Sequence, residues 1–205
     1  MAKLAPDGRL LWLTYLGGSE YEGVSDIALG ADGSPTVAGQ TSSQDFPVTA
    51  GAYRTTWPAG CAQNDCHSSF VARLSPDGRS LRWATLFDGG YGTWVADLAV
   101  DAAGDVALVG TTTRDEFPTT LGALGTAGRS TPGGQEDGFA AKLDTGGGRL
   151  EWSGRFGGDR DDSPRALALA PTGDLVLAGQ TRSDAFPTTP GAAQRTCDGA
   201  GRVVE

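Results

Sequence analysis

Two cysteines, an aspartate and a histidine lie within one short segment of the chain. The segment reads Cys61-Ala62-Gln63-Asn64-Asp65-Cys66-His67. Thiolate, carboxylate and imidazole groups this close could bind zinc, although zinc sites usually take four ligands at spacings such as Cys-x2-Cys. The pattern favours a loop disulfide between Cys61 and Cys66, with free thiols as the alternative. The third cysteine, Cys197, then has no evident partner in the sequence, which is unusual for an oxidising compartment.

Acidic side chains cluster in two segments that each follow a Gly-Gly pair. The acidic residues are Glu20 and Glu22 in the first segment and Asp159, Asp161 and Asp162 in the second. Carboxylates grouped on a loop can bind calcium. The corresponding segment between them reads Tyr91-Gly92-Thr93-Trp94 and lacks acids, so a solvated acidic rim is the favoured interpretation. No cofactor is expected, and calcium remains the alternative.

The five tryptophans fall into two groups. Trp12, Trp83 and Trp152 share a short motif with Leu and Phe at alternate positions, which indicates packing in a core more than a platform for sugar rings. Trp57 and Trp94 lie in or beside loops, outside that motif. With the acids above, they are the candidate residues for binding a protein or glycan ligand.

Catalytic patterns are absent from the sequence. His67 is the only histidine, no Gly-x-Ser-x-Gly elbow occurs, and no glycine loop of the phosphate-binding type appears. Paired acids could still serve a glycosidase, but the sequence does not single out one pair. We therefore expect a protein that is not an enzyme, with a carbohydrate-active glycosidase or lyase as the alternative.

Charge and hydropathy exclude further classes. A net charge of −9 argues against nucleic-acid binding, which needs a dense basic surface. The sequence has no run of eighteen apolar residues, so no membrane insertion is expected. The first residues form no apolar stretch of signal-peptide length.

Three copies of one unit organise the chain. Trp12, Trp83 and Trp152 are separated by 71 and 69 residues, and a second block repeats at the same offsets. That block contains a glycine followed by a Phe-Pro pair: Gly39, Gly110 and Gly179, then Phe46-Pro47, Phe117-Pro118 and Phe186-Pro187. Repetition at a fixed period indicates one supersecondary unit that buries its faces by stacking on its neighbours.

Each unit is predicted to form four short antiparallel strands. Residues 96–100 alternate in polarity, 101–105 form an Asp- and Gly-containing turn, and 106–111 are apolar and β-branched. A third strand is predicted at 139–143, and the fourth strand carries the tryptophan. In that fourth strand a period of two places Leu81, Trp83, Thr85 and Phe87 on one face. The fold class is therefore all-β.

The repeated blocks resemble the bacterial β-propeller repeat known as SBBP, for seven-bladed beta-propeller. The blocks that carry the resemblance are Thr14 to Gly18, Ala38 to Thr41, Asp97 to Gly104, Phe139 to Leu143 and Asp184 to Ala192. The resemblance implies a propeller of four-stranded blades in a bacterial surface or secreted protein, often beside adhesion modules. It implies an extracellular or cell-surface location and supplies no catalytic residues.

The predicted propeller region covers residues 1–194 and forms an incomplete ring of about three repeats. Its parts are a partial blade at 2–18, complete blades at 24–90 and 95–158, a partial blade at 164–194, and a truncated or irregular tail at 195–205. Propellers use about four to eight blades, so three cannot close a ring. We expect the remaining blades to come from a longer chain, or from a homo-oligomer such as a six-bladed dimer.

The sequence leaves three function classes open. The favoured one is a non-catalytic surface module that presents long loops to a protein or glycan. The others are the carbohydrate-active enzyme and a gene fragment with no independent function, whose exposed strand edges would promote aggregation.

Overall fold

The computed structural model describes residues 1–57, 67–87, 92–113, 117–120, 136–196 and 202–204. The described residues contain thirteen strands and no helix. The strands are β1 (Ala2–Leu4), β2 (Leu10–Leu13), β3 (Glu22–Leu29), β4 (Pro35–Thr41), β5 (Ser68–Leu74), β6 (Leu81–Phe87), β7 (Thr93–Val100), β8 (Val106–Thr112), β9 (Asp137–Leu143), β10 (Leu150–Phe156), β11 (Asp162–Leu169), β12 (Leu175–Thr181) and β13 (Arg202–Val204). The prediction of an all-β chain is confirmed for this part of the molecule.

The strands form four antiparallel sheets in which chain neighbours are also spatial neighbours. Strands β3 to β6 make one four-stranded sheet and β7 to β10 make another. Strands β1 and β2 form a two-stranded sheet at one end of the series, and β11, β12 and β13 form a three-stranded sheet at the other. We call these, in chain order, the first, second, third and fourth sheets.

The fourth sheet contains a strand that the sequence did not indicate. The sequence pattern predicts no strand after residue 194, yet Arg202–Val204 pairs antiparallel with β12. Its register sets Val204 opposite Gly179, the position that Phe70 takes opposite Gly39 and Phe139 takes opposite Gly110. Strand β13 therefore follows the third-strand register of the complete sheets over three residues.

Aromatic side chains fill the spaces between sheets in the same way twice. Phe46 packs on Phe70 at 4.6 Å between ring centroids, and Phe117 packs on Phe139 at 4.8 Å. The first pair belongs to a cluster that also takes in Met1 and Leu16 of the first sheet segment. The second pair meets Phe87 of the second sheet. The Phe-Pro blocks at Phe46 and Phe117 thus supply one buried ring to each four-stranded sheet.

A tryptophan on the last strand of the first sheet and another on the last strand of the second sheet each clamp a turn of the next sheet. The Trp12 Nε1 donates to the Pro76 carbonyl at 3.2 Å, and the Trp83 Nε1 donates to the Thr145 carbonyl at 3.0 Å. The indoles lie on Gly78 (φ +68°) and Gly147 (φ +65°), where a Cβ would overlap the ring. As predicted, Trp12 and Trp83 lie between sheets, and Trp83 is only 6% exposed.

A cation from the third strand joins each clamp. Lys3 Nζ reaches the Pro76 carbonyl at 3.5 Å, and an Arg73 guanidinium nitrogen donates to the Thr145 carbonyl at 3.2 Å. The Arg73 guanidinium also lies over the Trp83 ring, 5.3 Å from its centroid. One turn carbonyl therefore accepts hydrogen bonds from two side chains of the preceding sheet.

The prediction that Leu81 shares one face of β6 with Trp83 and Phe87 is wrong. A β-bulge shifts the register between Leu81 and Trp83, and an extra residue in one strand reverses the side-chain alternation. Leu81 therefore packs toward the first sheet while Trp83 and Phe87 pack toward the third. A strict period of two cannot reveal such a bulge.

Each four-stranded sheet has its outer edge covered by its own long connection. The Thr49 N–H donates to the Ala84 carbonyl of β6 at 3.0 Å, and the Leu86 N–H donates to the Arg54 carbonyl at 3.0 Å. The Thr120 N–H repeats the first contact on the Ser153 carbonyl of β10 at 2.9 Å. These bonds satisfy backbone groups that an exposed edge would offer to other chains.

The indole clamp predicts a large difference between two glycine-to-alanine substitutions. A Cβ at Gly147 would overlap the Trp83 ring, whereas one at Gly33 (φ +77°) meets no atom within 4 Å. Both variants carry the cost of a positive φ, about 1 kcal/mol, and only Gly147→Ala adds a steric cost of roughly 1–3 kcal/mol. Urea unfolding of both variants measures the difference. Equal losses of stability would contradict a tight clamp.

Candidate functional site

Two kinds of connection emerge at the same end of the sheets. One kind joins second to third strands (residues 42–67 and 113–136), and the other joins fourth to first strands (residues 14–21, 88–92 and 157–161). The opposite end carries only the tight turns that join first to second and third to fourth strands. We call the first of these the long-link end. All the predicted ligand-binding residues that the structure describes lie at or beside it.

Glu22 serves as an internal acceptor for its own loop. Its Oε1 accepts hydrogen bonds from Thr41 Oγ1 at 2.8 Å, from Ser43 Oγ at 2.5 Å and from the Gly18 N–H at 3.3 Å. A Cβ on Gly17 would overlap this carboxylate, so the glycine pair before the loop is needed for close approach. The carboxylate is therefore engaged by protein donors.

Asp162 repeats this arrangement in the fourth sheet. Its Oδ2 accepts from the Gly158 N–H at 2.6 Å and from Ser183 Oγ at 2.8 Å, and the residue is 1% exposed. In the third sheet the same position is Thr93, whose hydroxyl shares a 2.9 Å hydrogen bond with that of Thr112. This position is an acid in the second and fourth sheets and a threonine in the third, and in each sheet its side chain makes an internal hydrogen bond.

The other predicted acids differ in their surroundings. Asp161 accepts a hydrogen bond from the Glu136 N–H at 3.2 Å and pairs with Arg182 at 2.9 Å. Asp159 is exposed and accepts from the Ala185 N–H at 3.1 Å, which lowers the pKa of its carboxyl. Glu20 is exposed, and its N–H donates to Ser43 Oγ. Glu20 and Asp159 are thus the exposed acids of this set.

The two candidate tryptophans occupy different environments. Trp57 is half-buried against the cluster of Phe46 and Phe70, and its Nε1 is buried with no hydrogen-bond partner among the described residues. Trp94 is the second residue of β7 and lies opposite Thr111. Trp94 therefore belongs to a strand at the long-link end, while Trp57 belongs to the packing between sheets.

The cysteine segment falls largely outside the described residues. Cys61, Cys66 and Cys197 all lie outside the described residues, so the disulfide between Cys61 and Cys66 stays a prediction. His67 is half-buried. Over the ranges that the structure describes, no three His, Cys, Asp or Glu side chains are grouped to hold a metal ion.

A contact between first strands was missed by the sequence analysis. Strands β3, β7 and β11 pack side by side, whereas β6 and β10 make their main strand contacts with β5 and β9. Asp26 Oδ2 accepts from the Leu98 N–H at 3.1 Å, and Asp97 Oδ2 accepts from the Leu167 N–H at 2.6 Å. Each aspartate therefore ties its own sheet to the next. Asp26 and Asp97 are 71 residues apart, as Trp12 and Trp83 are, and this shared spacing was the signal in the sequence.

Asp26 and Asp97 also influence each other. Burial and a hydrogen bond with the Asp26 carboxyl raise the pKa of Asp97, although N–H donors from Leu167 and Leu98 oppose the shift. Two carboxyls in contact cannot both ionise without repulsion. Asp97 therefore holds its proton to a higher pH than an isolated aspartate does.

Comparison with known proteins adds no relative. No protein-family model matches the chain, and no curated protein matches it. Within the described ranges, the chain has no helix of the length and apolarity needed to cross a membrane.

Glu22 and Glu20 provide a matched test of structural against free carboxylates. Glu22→Ala removes the acceptor of three donors and should cost about 1–3 kcal/mol of unfolding free energy. Glu20→Ala should stay within about 0.5 kcal/mol of wild type. Urea unfolding with and without calcium measures both. Equal effects, or a calcium-dependent loss in Glu22→Ala, would show that Glu22 has another role.

The aspartate pair predicts that Asp97→Asn raises the thermal stability in a pH-dependent way. Because the pKa of Asp97 is raised on folding, the stability that its protonated form contributes is present at low pH. That stability is lost as the pH rises above about 4 through the folded pKa. Asparagine cannot ionise, so the variant should melt at a higher temperature than wild type at pH 7, and the two should converge below about pH 4.

Asp32→Asn is the control of opposite sign. Hydrogen bonds from the Ser34 N–H and Arg82 lower the pKa of Asp32 to about 2, so its contribution is present at neutral pH and is lost as pH falls toward that value. This variant should therefore melt lower than wild type at pH 7. A lower melting temperature for Asp97→Asn at pH 7 would contradict the raised pKa.

Proposed function

We propose that the chain is a non-catalytic β-propeller repeat module of a bacterial cell-surface or secreted protein. In this proposal it binds a protein or glycan through its long-link end. The resemblance of its repeats to SBBP is the basis for the family and the location.

The propeller arrangement is supported by the way the sheets meet. In the described residues, the first strands of neighbouring sheets pack side by side and their fourth strands make no comparable contact, which is the relation expected of sheets placed around an axis. The clamps of Trp12 and Trp83 and the hydrogen bonds of Asp26 and Asp97 repeat between successive sheets. Repeated identical contacts favour a regular rotation from each sheet to the next.

The observation that carries the binding proposal is the unequal length of the connections. Rigid sheets present long links at one end and tight turns at the other, and binding residues are most often placed on such links. Within that end, Glu20 is exposed, and Trp94 is half-buried at the start of β7. Trp57, Glu22 and Asp162 are engaged in packing or internal hydrogen bonds and are less suited to a ligand.

Binding should depend on the long-link end and not on the turn end. An array of neutral and acidic glycans and a panel of immobilised extracellular proteins would identify a ligand for the wild-type chain. Trp94→Ala should then weaken binding at least tenfold, because aromatic rings carry much of the energy of such contacts. Arg79→Ala, in an exposed tight turn, is the control and should bind as wild type.

Two outcomes would contradict this proposal. One is the loss of binding in Arg79→Ala but not in Trp94→Ala. The other is the absence of binding to every glycan and protein tested. Cleavage of any arrayed glycan would instead favour the carbohydrate-active enzyme.

A further inference from the structure

A cavity of about 180 Å³ lies between strand β10 of the third sheet and the first two strands of the fourth sheet. Apolar side chains form most of its wall, and polar groups line it where β11 begins and β12 ends. The residues used below are Phe156, Asp162, Pro164, Leu177, Thr181 and Phe186. An apolar cavity of about 150 Å³ is enough to bind benzene, so this one has room for a ligand of that size.

The cavity lies at a level of the sheet where the complete sheets carry a phenylalanine. In the third sheet Phe139 lies opposite Gly110, and its ring would be 2.9 Å from a Cβ on that glycine. In the fourth sheet the residue opposite Gly179 is Val204, and the atoms nearest to a Cβ on Gly179 belong to the backbone of β11. The same register position thus carries a different residue type.

Two aromatic rings of the cavity keep surface that their equivalents bury. Phe87 and Phe117 hold the corresponding places between the second and third sheets, where they are 0% and 3% exposed. Phe156 and Phe186 are only half-buried. A ligand can therefore reach both rings, and aromatic rings attract cations as well as apolar groups.

One oxygen of the Asp162 carboxylate has no donor among the described residues. The Oδ2 atom accepts hydrogen bonds from the Gly158 N–H and from Ser183 Oγ, which makes this residue less suited to a ligand on the loops of the long-link end. The Oδ1 atom is buried and has no hydrogen-bond partner in the described part of the chain. A buried polar atom without a partner is destabilising, and a donor on a ligand in the cavity would satisfy it.

The buried groups beside the cavity carry more carboxyl than cationic groups in the ranges that the structure describes. Asp137 and Asp162 are both 1% exposed. A Cβ on Gly157 would lie 2.9 Å from Asp137 Oδ1 and 2.7 Å from Asp162 Oδ2, so the two carboxyl groups approach each other. Arg155 places one guanidinium 3.7 Å from Asp137. The corresponding places between the second and third sheets carry uncharged residues, which are Ser68, Leu86 and Thr93.

We propose that this cavity binds a primary ammonium group carried on a short aromatic or aliphatic chain. The ammonium donates to Asp162 Oδ1, and the apolar part of the ligand packs on Phe156 and Phe186. Calcium fits less well, because it takes about six to eight oxygen ligands and no three acidic, His or Cys side chains are grouped among the described residues. This site is separate from Trp94 and Glu20, so it goes beyond the binding proposed for the long-link end.

Benzylamine and benzyl alcohol test the requirement for charge. The two molecules have the same ring and nearly the same size, but only benzylamine carries an ammonium at pH 7. In calorimetric titrations the wild-type chain should bind benzylamine at least about tenfold more tightly, because the alcohol leaves the buried carboxylate without a cation. Intermolecular NMR contacts should join the ligand's ring protons to Phe156 and Phe186.

Two variants separate the charge from the space. Asp162→Asn should weaken the binding of benzylamine at least about tenfold and leave benzyl alcohol within about twofold. Because Asp162 also holds its own loop, Leu177→Phe is the second variant: it keeps the carboxylate and fills the cavity, so both ligands should bind more weakly. Asp174→Asn removes a carboxylate from an exposed turn of the same sheet and is the control that should bind as wild type.

A competition experiment distinguishes two sources of the ammonium. Nα-acetyl-lysine methylamide presents the ammonium of a lysine side chain as a partner protein would. Displacement of benzylamine by this compound would assign the cavity to a lysine of a partner. Binding of benzylamine without such displacement would assign it to a free amine.

Two results would overturn the proposal. One is equal affinity of the wild-type chain for benzylamine and benzyl alcohol, or binding of neither. The other is benzylamine binding that stays unchanged in both Asp162→Asn and Leu177→Phe, since it would place the ligand elsewhere. Neither result depends on Trp94, so a failure here is distinguishable from a failure of the long-link end.

Discussion

The contact between an indole ring and a glycine turn is the interaction on which the other features of this molecule depend. A four-stranded sheet with two apolar faces cannot bury both alone, so its stability comes from its neighbours. Trp12 and Trp83 supply packing area and a directional hydrogen bond in one side chain. The bond fixes where the next sheet lies, and the missing side chain at Gly78 and Gly147 fixes how near it comes.

The remaining backbone edges are covered by two kinds of hydrogen bond, one on each side of the sheet. On the outer side, the long link places Thr49 against Ala84 and Thr120 against Ser153. On the inner side, Asp26 and Asp97 accept the outward N–H groups of the next first strand. In the fourth sheet the equivalent position is Ala166, which has no carboxylate to accept such a hydrogen bond. The described parts of the long links are therefore held against the sheets by backbone hydrogen bonds.

The sequence predicted those features that depend on local pattern and failed where tertiary partners decide. Repeats, turns and strands follow from spacing, glycine and alternation, and the all-β class follows from them. The reversed side of Leu81 depends on a bulge that alternation does not encode. The role of Glu22 depends on Thr41 and Ser43, which fold back onto it from another strand. Strand β13 is too short for a pattern, and its pairing arises from the exposed edge of β12.

A series of sheets joined by one directional clamp has a defined order. Each clamp has its donors on one sheet and its acceptor on the next, so exchanging two sheets would separate the indole from the carbonyl that it binds. The turn that accepts the hydrogen bond is already formed within its own sheet, so little ordering entropy opposes the contact. The clamp therefore fixes the direction in which one sheet follows another.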